Sequence, residues 1–490
     1  MERRSYMAFV AVVLIIFASI IFFNESKKKG KVTAEEITID DYDPTVDIEI
    51  IFRIDRIRKI DFERGEEPVF SLKIKVDGES YDIGEWGGLD VRPRWRFIHN
   101  VDDEKENVSI EVELYDGEKM CDISPREGNL SVGKALKLIY SIKDGTWHGD
   151  DFLHDASGYG HAGGYEDGYY NENDCEIWFD IYQTDADGDR LTYYEEVFIY
   201  GTDPMKSDYG KDYDNDGVPI EWEDHWGYDP FTAENHSILD EDEDGIQNIE
   251  EYMMSEWYAD PFRQDIFVEV DFMKNRFFGT TYFPEYSKEK VISAFSKHNI
   301  MLHIDDGLMG GGGEILPYEK FYTQDKLSLY YKKYFLHNGE NEWRKGIFRY
   351  CVFVHYTFPA KKSIAGYSYW PTNEDIFNCF VIGTKTIRNY RPLPLARETA
   401  TASLFMHELG HTLGIFWQTY HGCDNATTNY PWLSGWKKYE NYKSCMNYRY
   451  AWSLIDYSDG SHGEGDFDDW SHIDPAFFEK RFFAEEPIIH

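Results

Sequence analysis

Three twelve-residue segments set the tightest limit on how this chain can fold: DADGDRLTYYEE (185–196), DYDNDGVPIEWE (212–223) and DEDEDGIQNIEE (240–251). Each carries acids at its first, third, fifth and twelfth positions: Asp185, Asp187, Asp189 and Glu196; Asp212, Asp214, Asp216 and Glu223; Asp240, Asp242, Asp244 and Glu251. Carboxylates at that spacing repel one another unless a hard cation sits among them, and Ca2+ takes roughly six to eight oxygens. Position six needs a sharp turn, which Gly217 and Gly245 suit and Arg190 does not. Each copy runs on to GTDP, GYDP or YADP. The pattern predicts a loop, a short helix and a turn used three times, over residues 182–262, fixing the geometry between neighbouring domains.

These repeats resemble calcium-loop modules of the dockerin or thrombospondin type 3 kind. The resemblance covers residues 185–261 and implies bound Ca2+, without implying a biological role.

A second pattern carries chemistry. HELGH (407–411) closes the helix-like stretch ARETATASLFMHELGHTLGI (396–415). Residues four apart lie one helical turn apart, so His407 and His411 direct two imidazoles at one Zn2+ while Glu408 stands beside it. Glu408 is then the general base that takes a proton from water and returns it to the leaving amine.

HELGHTLG (407–414) matches the first part of the metzincin signature, and SCMNYRY (444–450) resembles the Met-turn of those zinc metallopeptidases. The resemblance implies an α/β zincin catalytic domain over residues 263–490. It makes His407 and His411 ligands and Glu408 the base, and lets Gly414 turn the chain toward a third ligand. Met446 becomes a hydrophobic floor, and Tyr448 an aid to the oxyanion. The wider texture is similar to pappalysin-like and related archaeal secreted peptidases, which implies a bridge from Cys423 to Cys445. One departure falls at the critical place. The family's third ligand stands six residues after the second histidine, and that residue here is Trp417, whose indole cannot ligate zinc. His421 and Asp424 are the nearest candidates, and a more distant ligand, or none, stays open.

The rest of the chain supplies context. Short alternating runs at 46–57, 69–76, 108–115 and 136–142, parted by DG turns, predict an antiparallel β-sandwich over 46–181. Mixed strands and helices beyond Asp265 predict the α/β domain. The expected fold class is therefore multidomain: a transmembrane helix, a sandwich, the calcium repeats and a zincin domain.

YMAFVAVVLIIFASIIFF (6–23) would rise about 27 Å as a helix, close to a bilayer's hydrocarbon thickness. It is read as an uncleaved anchor contacting membrane lipid, with a linker to residue 45. Arg3 and Arg4 face Lys27, Lys28, Lys29 and Lys31 across it, so the positive-inside rule alone would hold the bulk in the cytoplasm. Six cysteines without CxxC spacing suit disulfides, and calcium loops suit an extracellular ion level. The expectation is a single-pass cell-membrane protein with its bulk outside.

A formal charge of −41 disfavours nucleic acid as a partner. The expected function is a zinc-dependent endopeptidase that cuts a protein or peptide substrate at the cell surface. The alternative is a calcium-stiffened adhesion or carbohydrate-binding protein with an inactive zincin domain.

Overall fold

Alternating apolar and polar residues make the first part of the chain pleat. The computed structural model describes residues 49–477, apart from 102–104, 127–132, 143–144, 152–159, 170–171, 184, 323, 358–363 and 369–377. The expected anchor at 6–23 and its linker lie outside the described residues, as do parts of the glycine-rich stretch at 146–181.

Eleven strands come first: β1 (Glu49–Lys59), β2 (Val69–Val76), β3 (Glu79–Gly87), β4 (Asp90–Val91), β5 (Trp95–Asn100), β6 (Asn107–Asp116), β7 (Lys119–Met120), β8 (Leu136–Ser141), β9 (Thr146–Gly149), β10 (Gly160–Gly163) and β11 (Cys175–Gln183). They make two antiparallel sheets, ordered β10-β11-β1-β4 with β5 also on β1, and β3-β2-β6-β8-β9 with β7 on β6. In β2 and β6 every second side chain is buried, the mark of strands with one face on a core. Phe52, Ile54, Leu72, Ile74, Val112, Leu138 and Phe179 fill one shared core. The last turn of β1 is cationic and still buried, because Arg56 pairs with Asp90 at 2.6 Å and Arg58 with Glu176 at 3.0 Å.

The repeats follow. The first loop runs into a π-helical turn, Glu195–Tyr200, and the next two into helices α1 (Ile220–Trp226) and α2 (Asn248–Met254). After each, the Asp of the DP turn, Asp203, Asp229 or Asp260, accepts the N–H two residues on.

The third sheet contains β12 (Asp265–Met273), β13 (Met301–Asp305), β14 (Ile315–Leu316), β15 (Phe348–Val354), β16 (Gly366–Ser368) and β17 (Cys379–Gly383). Its order is β13-β12-β15-β17-β16, with β14 on β12. Pairing is parallel except where β16 joins β17. β15 and β17 are buried throughout, as strands covered on both faces are. Helices α3 (Glu285–Ser296), α4 (Gln324–Tyr330), α5 (Thr384–Tyr390) and α6 (Pro394–Thr412) accompany it. Val291 and Phe295 of α3 and Phe405 and Leu409 of α6 cover one face, and Tyr331 and Phe335 the other. Pro394 starts α6, where its fixed φ suits a first turn, and Ala400 to Gly410 are buried on every side.

This architecture corrects the expected fold class. The described residues belong to one compact unit. Strand pairing is mostly antiparallel, and among the described residues only α3 and α6 exceed eight residues, so the chain is β-rich rather than a string of parts ending in an α/β zincin domain. No helix among the described residues is long and apolar enough to cross a membrane. The physical reason for the merging is a buried seam that local sequence patterns do not reveal. Arg263 donates to His161 Nε2 at 3.1 Å, Trp178 packs on Tyr258 with centroids 6.4 Å apart, and Met301 joins that pair.

Candidate metal centre

His407 and His411 lie one turn apart on α6, with ring centroids 4.9 Å apart. His407 Nδ1 donates to the Cys445 carbonyl and His411 Nδ1 to the Ile415 carbonyl, each at 2.8 Å. Carbonyl oxygens only accept, so Nδ1 carries a proton in both rings, and in the neutral form Nε2 keeps the lone pair a metal takes. Asp424 meets them: Oδ1 is 3.2 Å from His407 Nε2 and Oδ2 is 3.5 Å from His411 Nε2. Oδ1 is buried and has no hydrogen-bond partner. Two ligand atoms bound about 2.1 Å from a tetrahedral zinc lie about 3.4 Å apart, so this spacing fits the ion.

The local fold explains the convergence. Asp424 adopts φ +50 and donates its N–H to the Met446 carbonyl at 3.1 Å. Adjacent carbonyls, of Cys445 and Met446, therefore hold one histidine and the aspartate. Met446 is fully buried against Gly410 of α6, where an added Cβ would meet its sulfur at 2.8 Å. Gly414, at φ +91, reverses the chain just past the helix. Tyr448 stacks on His407 with centroids 5.9 Å apart.

Glu408 is 4% exposed and faces the edge strand. The Ser368 hydroxyl lies 3.0 Å from its Oε2 and 2.8 Å from its main-chain oxygen. Burial raises the Glu408 carboxyl to about 7, with His407 opposing and Asp424 adding to the rise. Burial depresses His407, but the Asp424 carboxylate more than reverses this and lifts it to about 9 in the metal-free chain. For Asp424, burial is outweighed by His411 and His407, which hold it well below the ordinary aspartate value. Burial, Asp424 and Glu408 all push the Tyr448 hydroxyl up, so it stays protonated.

His421 stands apart from this cluster. Its ring is exposed, stacks on Trp417 at 4.8 Å and contacts the Trp417 carbonyl through Nδ1 at 3.1 Å. The expected Cys423–Cys445 bridge is corrected: all six cysteines are free and buried. Cys423 Sγ instead approaches Asp424 Oδ2 at 3.6 Å.

The three loops share one division of labour. Asp185, Asp212 and Asp240 accept main-chain N–H groups inside their own loops. Asp189, Asp216 and Asp244 each spend one oxygen inside the loop and the other on a later N–H, of Asp208, Glu234 or Asp265. Positions three and twelve are left over. Both oxygens of Asp187, Glu223 and Glu251, and Oδ2 of Asp214 and Asp242, are buried without a hydrogen bond. Glu196 keeps only a contact from Thr202 at 3.2 Å. Burial followed by neighbouring aspartates raises Glu196 and Glu223 to about 8 and Asp242 to about 10. Orphaned, inward-facing carboxylates of this kind fit a hard cation. Arg190 takes φ +81, the same left-handed turn as Gly217 and Gly245.

Sequence reading missed three participants. His236, fully buried, brings Nε2 to 3.2 Å from Asp216 Oδ2 and 4.0 Å from Glu223 Oε1. It lies outside the twelve-residue frame, so no spacing rule finds it. Ser368 and Gly366 approach Glu408 only because β16 is the sheet edge beside α6.

No family model and no curated protein matches the chain. Among solved structures, a C2 domain of plant Extended Synaptotagmin 1 aligns at 13% identity over 28% of this chain and 95% of that one, with a TM-score of 0.17. Human GIVD cytosolic phospholipase A2, in complex with methyl gamma-linolenyl fluorophosphonate and terbium chloride, aligns at 11% identity over 28% of this chain and 17% of that one, also at 0.17. Likeness at that score carries no argument about fold or function.

Proposed function

We propose that the chain is a zinc-dependent endopeptidase. The observation that carries this reading is the meeting of His407 Nε2, His411 Nε2 and the two Asp424 oxygens beside buried Glu408. Zinc held there would supply Lewis acidity to a peptide carbonyl. Glu408, buried beside the two imidazoles, is placed to hold a water proton and pass it to the leaving nitrogen. Ser368 fixes the carboxylate that does so. The protonated Tyr448 hydroxyl can donate to the developing oxyanion. β16 ends the sheet among the described residues, so an extended peptide can add along that edge and pass Glu408. That preference for an extended chain favours a peptide over a small amide.

Calcium in the three loops is part of the same proposal. It would neutralise the carboxylates against which β12 begins, where the Asp265 N–H meets Asp244 at 2.6 Å. Placement at the cell surface, anchored through residues 6–23, rests on that apolar run and on the calcium loops, since the six free cysteines give it no support.

The test is cleavage of an unfolded protein by the full chain. Loss of fragments with a zinc chelator, and return with stoichiometric zinc in the presence of calcium, is expected. Undiminished cleavage in chelator would sink the reading.

A further inference from the structure

A chain whose acids outnumber its bases, 91 to 50, nevertheless gathers cations in one place. Lys385 and Arg388 of α5 and Arg397 of α6 line a cavity of about 280 Å³. An adjoining cavity of about 470 Å³ shares Lys385 and Arg388 and adds Arg276 and Lys320. The principal linings include no Asp or Glu. None of the five cations forms an ion pair among the described residues. Like charges gathered along one crevice raise the local potential and attract anions.

The position in the fold points the same way. Asn275 lies just beyond β12, His355 and Tyr356 follow β15, and Thr384 and Lys385 follow β17, so the linings sit at the carboxyl ends of parallel strands. β12 is flanked by β13 and β14 on one side and by β15 on the other, so the chain changes direction across it. Loops that leave such a switch point diverge and open a crevice, the usual ligand site of parallel sheets. Arg397 precedes His407 by ten residues, about 15 Å of helix, which separates this crevice from the metal centre. Phe277 and Phe278 stand at its rim, 79% and 91% exposed.

We propose that this crevice binds a phosphoryl group bearing two negative charges. The forked guanidinium groups of Arg388 and Arg397 suit pairs of phosphoryl oxygens, and Lys385 adds a point charge. A single carboxylate would leave much of that charge unanswered. The group belongs either to a soluble phosphate ester or to a lipid headgroup, for which Phe277 and Phe278 would meet the start of the acyl chains.

The experiment is calorimetric titration of the full chain with glycerol 3-phosphate and, separately, with dihexanoyl phosphatidic acid kept below its micelle-forming concentration. Saturable binding is expected, weakened by about tenfold or more in Lys385→Ala/Arg388→Ala and in Arg397→Ala. Lys437→Ala, exposed and outside both linings, and Glu408→Gln should bind as the parent does. Phosphatidic acid binding about tenfold tighter than glycerol 3-phosphate marks a lipid headgroup, and equal affinity marks a soluble ester. No saturable binding of either probe, binding unchanged in folded variants of the crevice, or equal affinity for succinate would overturn the proposal.

Discussion

Gly366 of the edge strand passes so close to Glu408 of α6 that a Cβ built on it would lie 2.5 Å from Oε1. No side chain fits there without moving the carboxylate. Gly366→Ala should therefore lower kcat by about 10²-fold while zinc content stays unchanged, since misplacement of a catalytic group by about 1 Å costs that much. Full activity in that variant would mean that Glu408 is not the working carboxylate.

Asp424 and His421 separate the two candidates for third ligand. Asp424→Asn should lose zinc at concentrations that saturate the parent, whereas His421→Asn should keep it, because His421 is occupied with Trp417. Metal analysis after dialysis reads the difference. Equal retention by both variants would remove Asp424 from the ligand set.

What was legible in the sequence follows the range of the interactions. HELGH places two histidines by helical geometry alone, and the loop acids fall by a fixed frame, so both patterns survive as local arrangements. The place of Asp424, the proposed third ligand, is set by a long-range contact, its N–H on the Met446 carbonyl, which no spacing encodes. Trp417 occupies the position at which the metzincin pattern has its third ligand, and the oxygen that meets the two imidazoles belongs to Asp424, seven residues later. The fold class failed for a related reason. Local alternation shows strands, but the buried seam of Arg263, Trp178 and Tyr258 that joins the sheets into one unit is tertiary. Cysteine count suggested bridges, yet all six thiols are simply core residues.

The calcium loops make a pH prediction. In chelated protein, burial and neighbouring aspartates hold Glu223 and Glu196 at about 8, against an ordinary value of 4.5. A raised carboxyl binds its proton more tightly in the folded state, so its stabilisation is full below the unfolded value and is lost as pH rises toward about 8. Chelated protein should thus melt lower near pH 8 than near pH 5.5, and millimolar calcium should restore the melt chiefly at the higher pH. A chelated melt that ignores both pH and calcium would count against ordered sites.

Tyr448 gives a kinetic split. Tyr448→Phe removes a donor held protonated by its surroundings and should lower kcat by about 10²-fold with little change in KM. A change confined to KM would assign the hydroxyl to ground-state binding.

The most direct measurement compares fragment formation from an unfolded protein by the zinc- and calcium-loaded full chain and by its Glu408→Gln variant. The account predicts equal zinc content and a rate lower by about 10³-fold or more in the variant, since it loses the base and none of the proposed ligands. Equal rates in the two proteins would contradict it.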